Sequence, residues 1–121
     1  MRYVRLPITT AADGSATVYS PRVSGKVHSL HYLKTDFADG VDFTATSERT
    51  GETIWAESNV NADAVRYPRA ATHSTAGVAA LYAAGGTAVQ DKVGLANDRI
   101  KIVIAQGGNA KAGTVIVLVD D

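Results

Sequence analysis

The sequence predicts an all-β fold, an antiparallel β-sandwich of about eight short strands with at most one short helix. Two observations lead to this prediction. Apolar and polar residues alternate in short runs, and Gly, Asp, Asn or Pro separates one run from the next. The strongest signal is C-terminal, where β-branched runs at 99–105 and 114–119 flank a turn-forming segment. A jelly roll is one arrangement that this strand count allows.

The first strand is predicted at residues 3–8, with Val4, Leu6 and Ile8 on one face. Pro7 lies within it and cannot donate to a ladder, so residues 1–12 are predicted to form an edge strand or an N-terminal arm. Residues 13–121 then form one sandwich domain. Further strands are expected at 16–20 and 23–34, the second with an imperfect alternation.

The middle of the chain predicts one hairpin and one ambiguous stretch. Residues 41–46 and 53–57 read as paired strands, with Trp55 on the face opposite Ile54 and Ala56. Residues 58–77 read as a long connection with a short strand near 64–67, and connections of this length are usually functional or contact surfaces. For residues 77–84 a short helix and a strand are both defensible.

The C-terminal runs predict a second hairpin. Ile100, Ile102 and Ile104 would share one face, with the valines at 115, 117 and 119 opposite or diagonal to them. Ile116 and Leu118 point to the other face, so this pair of strands is apolar on both sides. Such a pair is either central in its sheet or covered by another chain.

Composition excludes several classes of protein. The 121 residues suit one domain, and the absence of cysteine excludes disulfides and thiolate metal sites. No apolar run approaches the roughly 20 residues that span a bilayer. A formal net charge of zero argues against a nucleic-acid partner. The first residues carry charge and a proline where a signal peptide would be apolar, so we expect synthesis in a cytoplasm.

No constellation of residues predicts catalysis, a cofactor or a metal. His28 and His31 stand three apart, which places them on opposite faces of a strand. Asp36, Asp39 and Asp42 resemble a loose calcium loop, but the ligand order of an EF-hand is absent and turn aspartates usually bond the backbone. The glutamates of the hairpin near residue 50 lack an aromatic cradle for sugar hydrolysis. We therefore predict that the protein is not an enzyme.

Three groups of residues are candidates for an interface. Arg2, Tyr3 and Arg5 form a possible docking segment at the N-terminus. Arg66, Tyr67 and Arg69 combine an aromatic ring with two guanidinium groups, a mixture enriched at protein interfaces. Trp55, the one tryptophan, is either a core anchor, an interface anchor or a sugar platform. Charge is also segregated, with a basic excess in residues 1–34 and an acidic excess in residues 35–64.

Four stretches carry a resemblance to a known group of proteins. They are Phe37–Phe43, Thr50–Trp55, Arg99–Ile104 and Gln106–Lys111. Together they resemble a family of small proteins encoded in the structural modules of tailed bacteriophages, near the major capsid protein. The resemblance covers most of residues 15–119 and is weakest over residues 1–12. It implies capsid decoration or cement, and it brings no catalytic residue.

The sequence and the resemblance together predict a capsid decoration protein of the virion. We expect it to bind the major capsid protein as a homo-oligomer, with a trimer favoured, and to need no cofactor, nucleic acid or membrane. A tail or head-tail joining component is the alternative within the virion. A carbohydrate-binding β-sandwich, using Trp55 and Tyr67 as stacking platforms, is the alternative from another class.

Overall fold

A computed structural model describes all of residues 1–121, which form eleven β-strands and no helix. The predicted all-β, sandwich-like fold is confirmed. No segment forms a helix that could cross a membrane. The strand count exceeds the expected eight because β6, β7 and β8 have only two or three residues each. The strands are β1 Arg2–Thr9, β2 Ala16–Tyr19, β3 Val23–Lys34, β4 Asp42–Ser47, β5 Thr53–Glu57, β6 Ala64–Arg66, β7 Ala70–Ala71, β8 Gln90–Asp91, β9 Val93–Asp98, β10 Ile100–Ala105 and β11 Ala112–Asp120.

Two antiparallel sheets enclose the core. The five-stranded sheet has the order β1-β11-β3-β6, and β9 also pairs with β3; the four-stranded sheet has the order β2-β10-β4-β5. The twelve-residue strand β3 organises the larger sheet, because one of its edges pairs with β11 while the other pairs first with β9 and then with β6. A cluster of 22 buried apolar residues fills the space between the sheets.

The predicted C-terminal hairpin is wrong. β10 pairs with β2 and β4, whereas β11 pairs with β1 and β3, so the two strands lie in different sheets. Their apolar residues face each other across the core, and Ile102 and Val117 are both fully buried. Alternation tells which side of a strand is apolar, but both a hairpin partner and a facing sheet satisfy that pattern.

Two irregularities in strand pairing change where side chains point. In β5 the register shifts so that Ile54 is an extra residue between the pairs that Thr53 and Trp55 make with β4. Ile54 and Trp55 are therefore both buried, and the prediction that they face opposite ways is wrong. In β3 the pairing with β11 passes from Val27 to Ser29, which leaves His28 as the extra residue.

Candidate interaction surface

Residues 70–91 leave the sandwich as a separate unit that we call the branched hairpin. Its stem is the antiparallel pair β7 and β8. Above the stem three backbone segments meet in a ring of hydrogen bonds: the Thr72 amide donates to Val89 O, the Val89 amide to Ala80 O and the Ala80 amide to Thr72 O, over 2.8–2.9 Å. The hairpin thus divides into two short lobes that share the central segment around Ala80.

Each lobe ends in a turn that glycine permits. In the first, the Ser74 amide donates to Val78 O, and Gly77 has a φ of +80°. In the second, Tyr82 N–H donates to Thr87 O, and Gly85 has a φ of +70°. These turns sit at both ends of residues 77–84, so the helical alternative for that stretch is wrong. Isolated antiparallel bridges at residues 79 and 81 connect it to its neighbours instead.

The lobes of the branched hairpin are exposed, and the unit carries no formal charge before Asp91. Every residue from 73 to 87 is exposed, including Val78 at 66%, Leu81 at 43% and Tyr82 at 77%. The 21 residues from Ala70 to Gln90 include eight alanines and no Asp, Glu, Lys or Arg. Charged residues are normally abundant on a solvated surface and are depleted in the centre of protein interfaces. The lack of charge and the exposed Val78, Leu81 and Tyr82, although not the alanine content, are typical of a surface that another macromolecule covers.

Ionic and hydrogen-bonding contacts fix the base of the branched hairpin to the sheet. The hairpin departs between β6 and β9. At this point the edge of β3 that faces them has no strand partner, and Arg69 Nη1 donates there to His28 O at 3.1 Å. Lys26 Nζ pairs with Asp91 Oδ2 at 2.8 Å, and Lys92 pairs with Asp120. These lysines hold the pKa values of both carboxyl groups below their ordinary range. These contacts connect the base of the hairpin to β3 and β11.

A second apolar surface lies on the outer face of the five-stranded sheet. Cross-strand pairs place Tyr3 beside Leu118, and Arg5 in one row with Ile116, His31 and Val65. Tyr3 is 61% exposed, while Leu33 and Val65 are 44% and 43% exposed. We call the apolar part of this face the outer stripe; its residues are Tyr3, Leu33, Val65, Ile116 and Leu118. Arg5 is the one formally charged residue in these rows.

The structure places the predicted interface residues in three regions: the edge strand β1, the base of the branched hairpin, and the contact between the two sheets. Arg2, Tyr3 and Arg5 lie exposed on β1, an edge strand, with Tyr3 in the outer stripe. Tyr67 is 59% exposed at the base of the branched hairpin, where its ring meets the edge of His28 at 6.0 Å. Arg69 anchors that base through its bond to the His28 carbonyl.

Arg66 and Trp55 serve the fold rather than an open surface. Arg66 on β6 donates to both carboxylate oxygens of Glu57 on β5, at 2.7 and 2.8 Å, and so links the two sheets at one edge. Trp55 is 8% exposed, stacks on Phe43 at 5.0 Å and donates from Nε1 to the same carboxylate. Of the three alternatives for Trp55, its burial in this chain agrees with the core anchor.

The histidine pair and the aspartate loop have local roles. Ser29 Oγ lies 3.1 Å from both His28 Nδ1 and His31 Nε2. His28 is a bulge residue and therefore shares the outer face with His31. The prediction that these two histidines lie on opposite faces is wrong. Asp36 and Asp42 accept hydrogen bonds from the Ala112 and Asn59 amides, while Asp39 pairs with Lys34. No group of three or more His, Asp or Glu side chains is placed to hold a metal ion.

One open cleft has a volume of about 570 Å³. It is bounded on one side by the N-terminal part of β3 and by β9, and on the other by the turn between β4 and β5. Its charged side chains include Lys26, Arg49, Glu52 and Asp98. The carboxylate of Asp98 is buried and accepts the backbone amides of Arg49 and Arg99, and Lys26 is paired with Asp91. These charges hold the turn and the branched hairpin in place, and the cleft contains no nucleophile paired with a base.

Sequence reasoning missed the three large apolar residues that are exposed on the branched hairpin, Val78, Leu81 and Tyr82. The signal that could have found them is the run of 21 residues without a formal charge. A scan of the chain against protein-family models and a search of curated proteins found no match. The proposed function therefore draws on the sequence resemblance over residues 15–119 together with the surfaces of the branched hairpin and the outer stripe.

Proposed function

We propose that this protein is a bacteriophage virion structural protein, a capsid decoration or cement protein that acts as a homo-oligomer bound to the major capsid protein. The observation that carries the proposal is the branched hairpin. Its exposed, uncharged surface has no role within the chain, because none of residues 73–87 is buried against the sandwich. An exposed surface with apolar side chains and no charge is typical of a site that binds another protein, so it supports a role as a component of a protein assembly.

The physical role follows from interface area. A protein that binds across neighbouring capsid subunits adds contacts that must break before the subunits separate, so it raises the free energy needed to open the shell. A standard interface engages about 20–30 residues on each side. The exposed residues of the branched hairpin and of β1, including Arg2, Tyr3 and Arg5, supply the contact surface for the capsid and for neighbouring copies.

Particle composition tests the proposal. Mass spectrometry of purified DNA-filled heads of the phage or prophage that encodes the chain should find this protein in many copies. Heads made without it should bind the purified protein in a sedimentation assay and should then release their DNA at a higher temperature. Absence from the particles, together with failure to cosediment, rejects the proposal. Recovery only in separated tails would replace it with the tail or head-tail joining role.

A further inference from the structure

We propose that the branched hairpin of one copy covers the outer stripe of a second copy, so that the chains associate head to tail. The inference rests on the proposed function only in treating the branched hairpin as an assembly element. It names that element's partner, a second copy of this chain, and the surface that receives it.

The two surfaces match in chemistry. The branched hairpin offers Val78, Leu81 and Tyr82 among alanines, and the outer stripe offers five apolar residues on the outer face of the five-stranded sheet. Residues 70–90 of the branched hairpin carry no formal charge, and Arg5 is the only formally charged group in the rows of the stripe. Bringing the two together therefore removes apolar area from water with little burial of charge.

Topology places the two surfaces so that they suit a head-to-tail contact. The branched hairpin leaves the five-stranded sheet beside β3, β6 and β9, whereas β1 with Tyr3 forms the opposite edge of that sheet. Contacts at the base hold the hairpin away from its own sheet face, as the exposure of residues 73–87 shows. Two different patches that join in this way form a heterologous interface, which closes into a ring when the rotation permits.

Size and order favour a stable contact. The branched hairpin contributes a continuous exposed segment of 15 residues, 73–87, to the contact. Its shape is set in advance by the ring of backbone hydrogen bonds through Thr72, Ala80 and Val89. A preformed element loses less conformational entropy when it binds than a loop that must become ordered. We therefore expect a closed cyclic oligomer at micromolar concentration, with the trimer as the first expectation.

Two variants remove one surface each. The first lacks the lobes: residues 73–88 are replaced by Asn-Gly, because Thr72 and Val89 already form a hydrogen-bonded pair that a two-residue turn can close. The second is Tyr3→Asp with Val65→Asp, which places a carboxylate at two exposed positions of the outer stripe. Circular dichroism and thermal melting establish that both remain folded.

Sedimentation velocity then gives the decisive result. The wild-type chain should be a closed oligomer, and each variant alone should be monomeric. An equimolar mixture should form a one-to-one complex and nothing larger, because the second variant still has the branched hairpin and the first still has the outer stripe. An oligomer formed by the stripe variant alone, a monomeric mixture or a monomeric wild type would each overturn the inference.

A pair of single substitutions supplies a matched control. Ala80→Asp should weaken self-association by about 100-fold or more, because it buries an unpaired carboxylate in the contact. Ala56→Asp, at an exposed alanine of β5 in the other sheet, should leave it unchanged. Equal weakening by both would contradict the proposed contact. Particle binding is measured separately, so a chain that binds heads but does not self-associate retains the proposed function and loses only this inference.

Discussion

The sandwich and the branched hairpin are both β-structure, yet different interactions hold them together. In the sandwich, apolar side chains from two sheets face each other, and Ile102 and Val117 have no exposed surface. In the branched hairpin, residues 73–87 are all exposed, and backbone hydrogen bonds among three segments define the shape. The first unit is stabilised by burial and the second by local geometry.

This difference explains why the branched hairpin can present a surface. A hydrogen bond in contact with water contributes only about 1 kcal/mol net, and an isolated two-stranded hairpin is marginally stable. The ionic contacts at the base and the ring of hydrogen bonds hold the fold of the hairpin without burying its side chains. Those side chains remain exposed in the single chain. A partner that binds them would bury their apolar surface.

Matched leucine truncations test the comparison most strongly. Leu30 on β3 is 1% exposed, whereas Leu81 in the branched hairpin is 43% exposed. We expect Leu30→Ala to lower the free energy of unfolding by about 4 kcal/mol, because it leaves a cavity in the core. Leu81→Ala should change it by no more than about 0.5 kcal/mol.

Urea unfolding at a concentration where the protein is monomeric measures both values. A large loss for Leu81→Ala under those conditions would mean that the branched hairpin contributes to the core of the single chain. The same variant measured at high concentration should, by contrast, weaken self-association, since Leu81 lies on the surface proposed to meet the second copy.

Sequence patterns predicted most of the sandwich because alternation reports burial directly. Val4, Leu6 and Ile8 face the core on β1 as expected, and the β4–β5 hairpin and the short strand β6 form where turn signals placed them. The failures lie where burial alone does not decide the pairing. β10 and β11 satisfy the same alternation whether they pair side by side or face each other across the core.

Bulges and the branched hairpin account for the remaining differences. One inserted residue reverses the direction of every later side chain in a strand, and no local signal announced the shifts at His28 and Ile54. The branched hairpin buries no residue between 73 and 87, so it leaves no periodic apolar pattern to detect. Of the candidate interface residues, those of β1 and Tyr67 are exposed, whereas Trp55 takes the core position that the sequence offered as one alternative.

Glycine substitutions in two adjacent strands show how tightly the sandwich is packed. Gly25 in β3 has a φ of +130°, and a Cβ there would lie 2.2 Å from the carbonyl oxygen of Asp120. We expect Gly25→Ala to lower the free energy of unfolding by about 3 kcal/mol through backbone strain and overlap. Gly94 in β9 borders open space, and a Cβ there would meet no heavy atom within 4 Å, so Gly94→Ala is the matched control.

Thermal and urea unfolding compare the two variants. Gly94→Ala should stay within about 0.5 kcal/mol of the wild type. Equal stability of both alanine variants would show that the backbone around Asp120 moves to accept the new methyl group.

The ion pair between the sheets predicts a pH dependence. Arg66 holds the pKa of Glu57 below its ordinary value of 4.5, with a smaller contribution from the Trp55 indole N–H. A lowered folded-state pKa stabilises the fold above the ordinary value, and this stabilisation is lost as pH falls through the lowered value. Because both side chains are partly exposed, we expect Glu57→Gln to cost only about 0.5–1 kcal/mol at pH 7.

Urea unfolding of wild type and Glu57→Gln at pH 7 and at successively lower pH values below 4.5 tests this sign. The difference between the two proteins should shrink at the lower pH, where the wild-type carboxyl group becomes protonated and resembles the amide. A difference that stays constant would assign the effect to packing around Trp55 rather than to charge.

The smallest expected effect concerns a buried hydroxyl in the sandwich. Tyr32 is 1% exposed, its ring lies among Phe37 and Phe43, and its hydroxyl has no hydrogen-bond partner. Burial raises its pKa to about 12, with a further contribution from Asp63. Since the hydroxyl is desolvated without compensation, Tyr32→Phe should leave the free energy of unfolding unchanged or raise it by up to about 1 kcal/mol. A loss of more than about 1 kcal/mol in urea unfolding would instead mean that the hydroxyl has a stabilising partner in solution, such as a bound water.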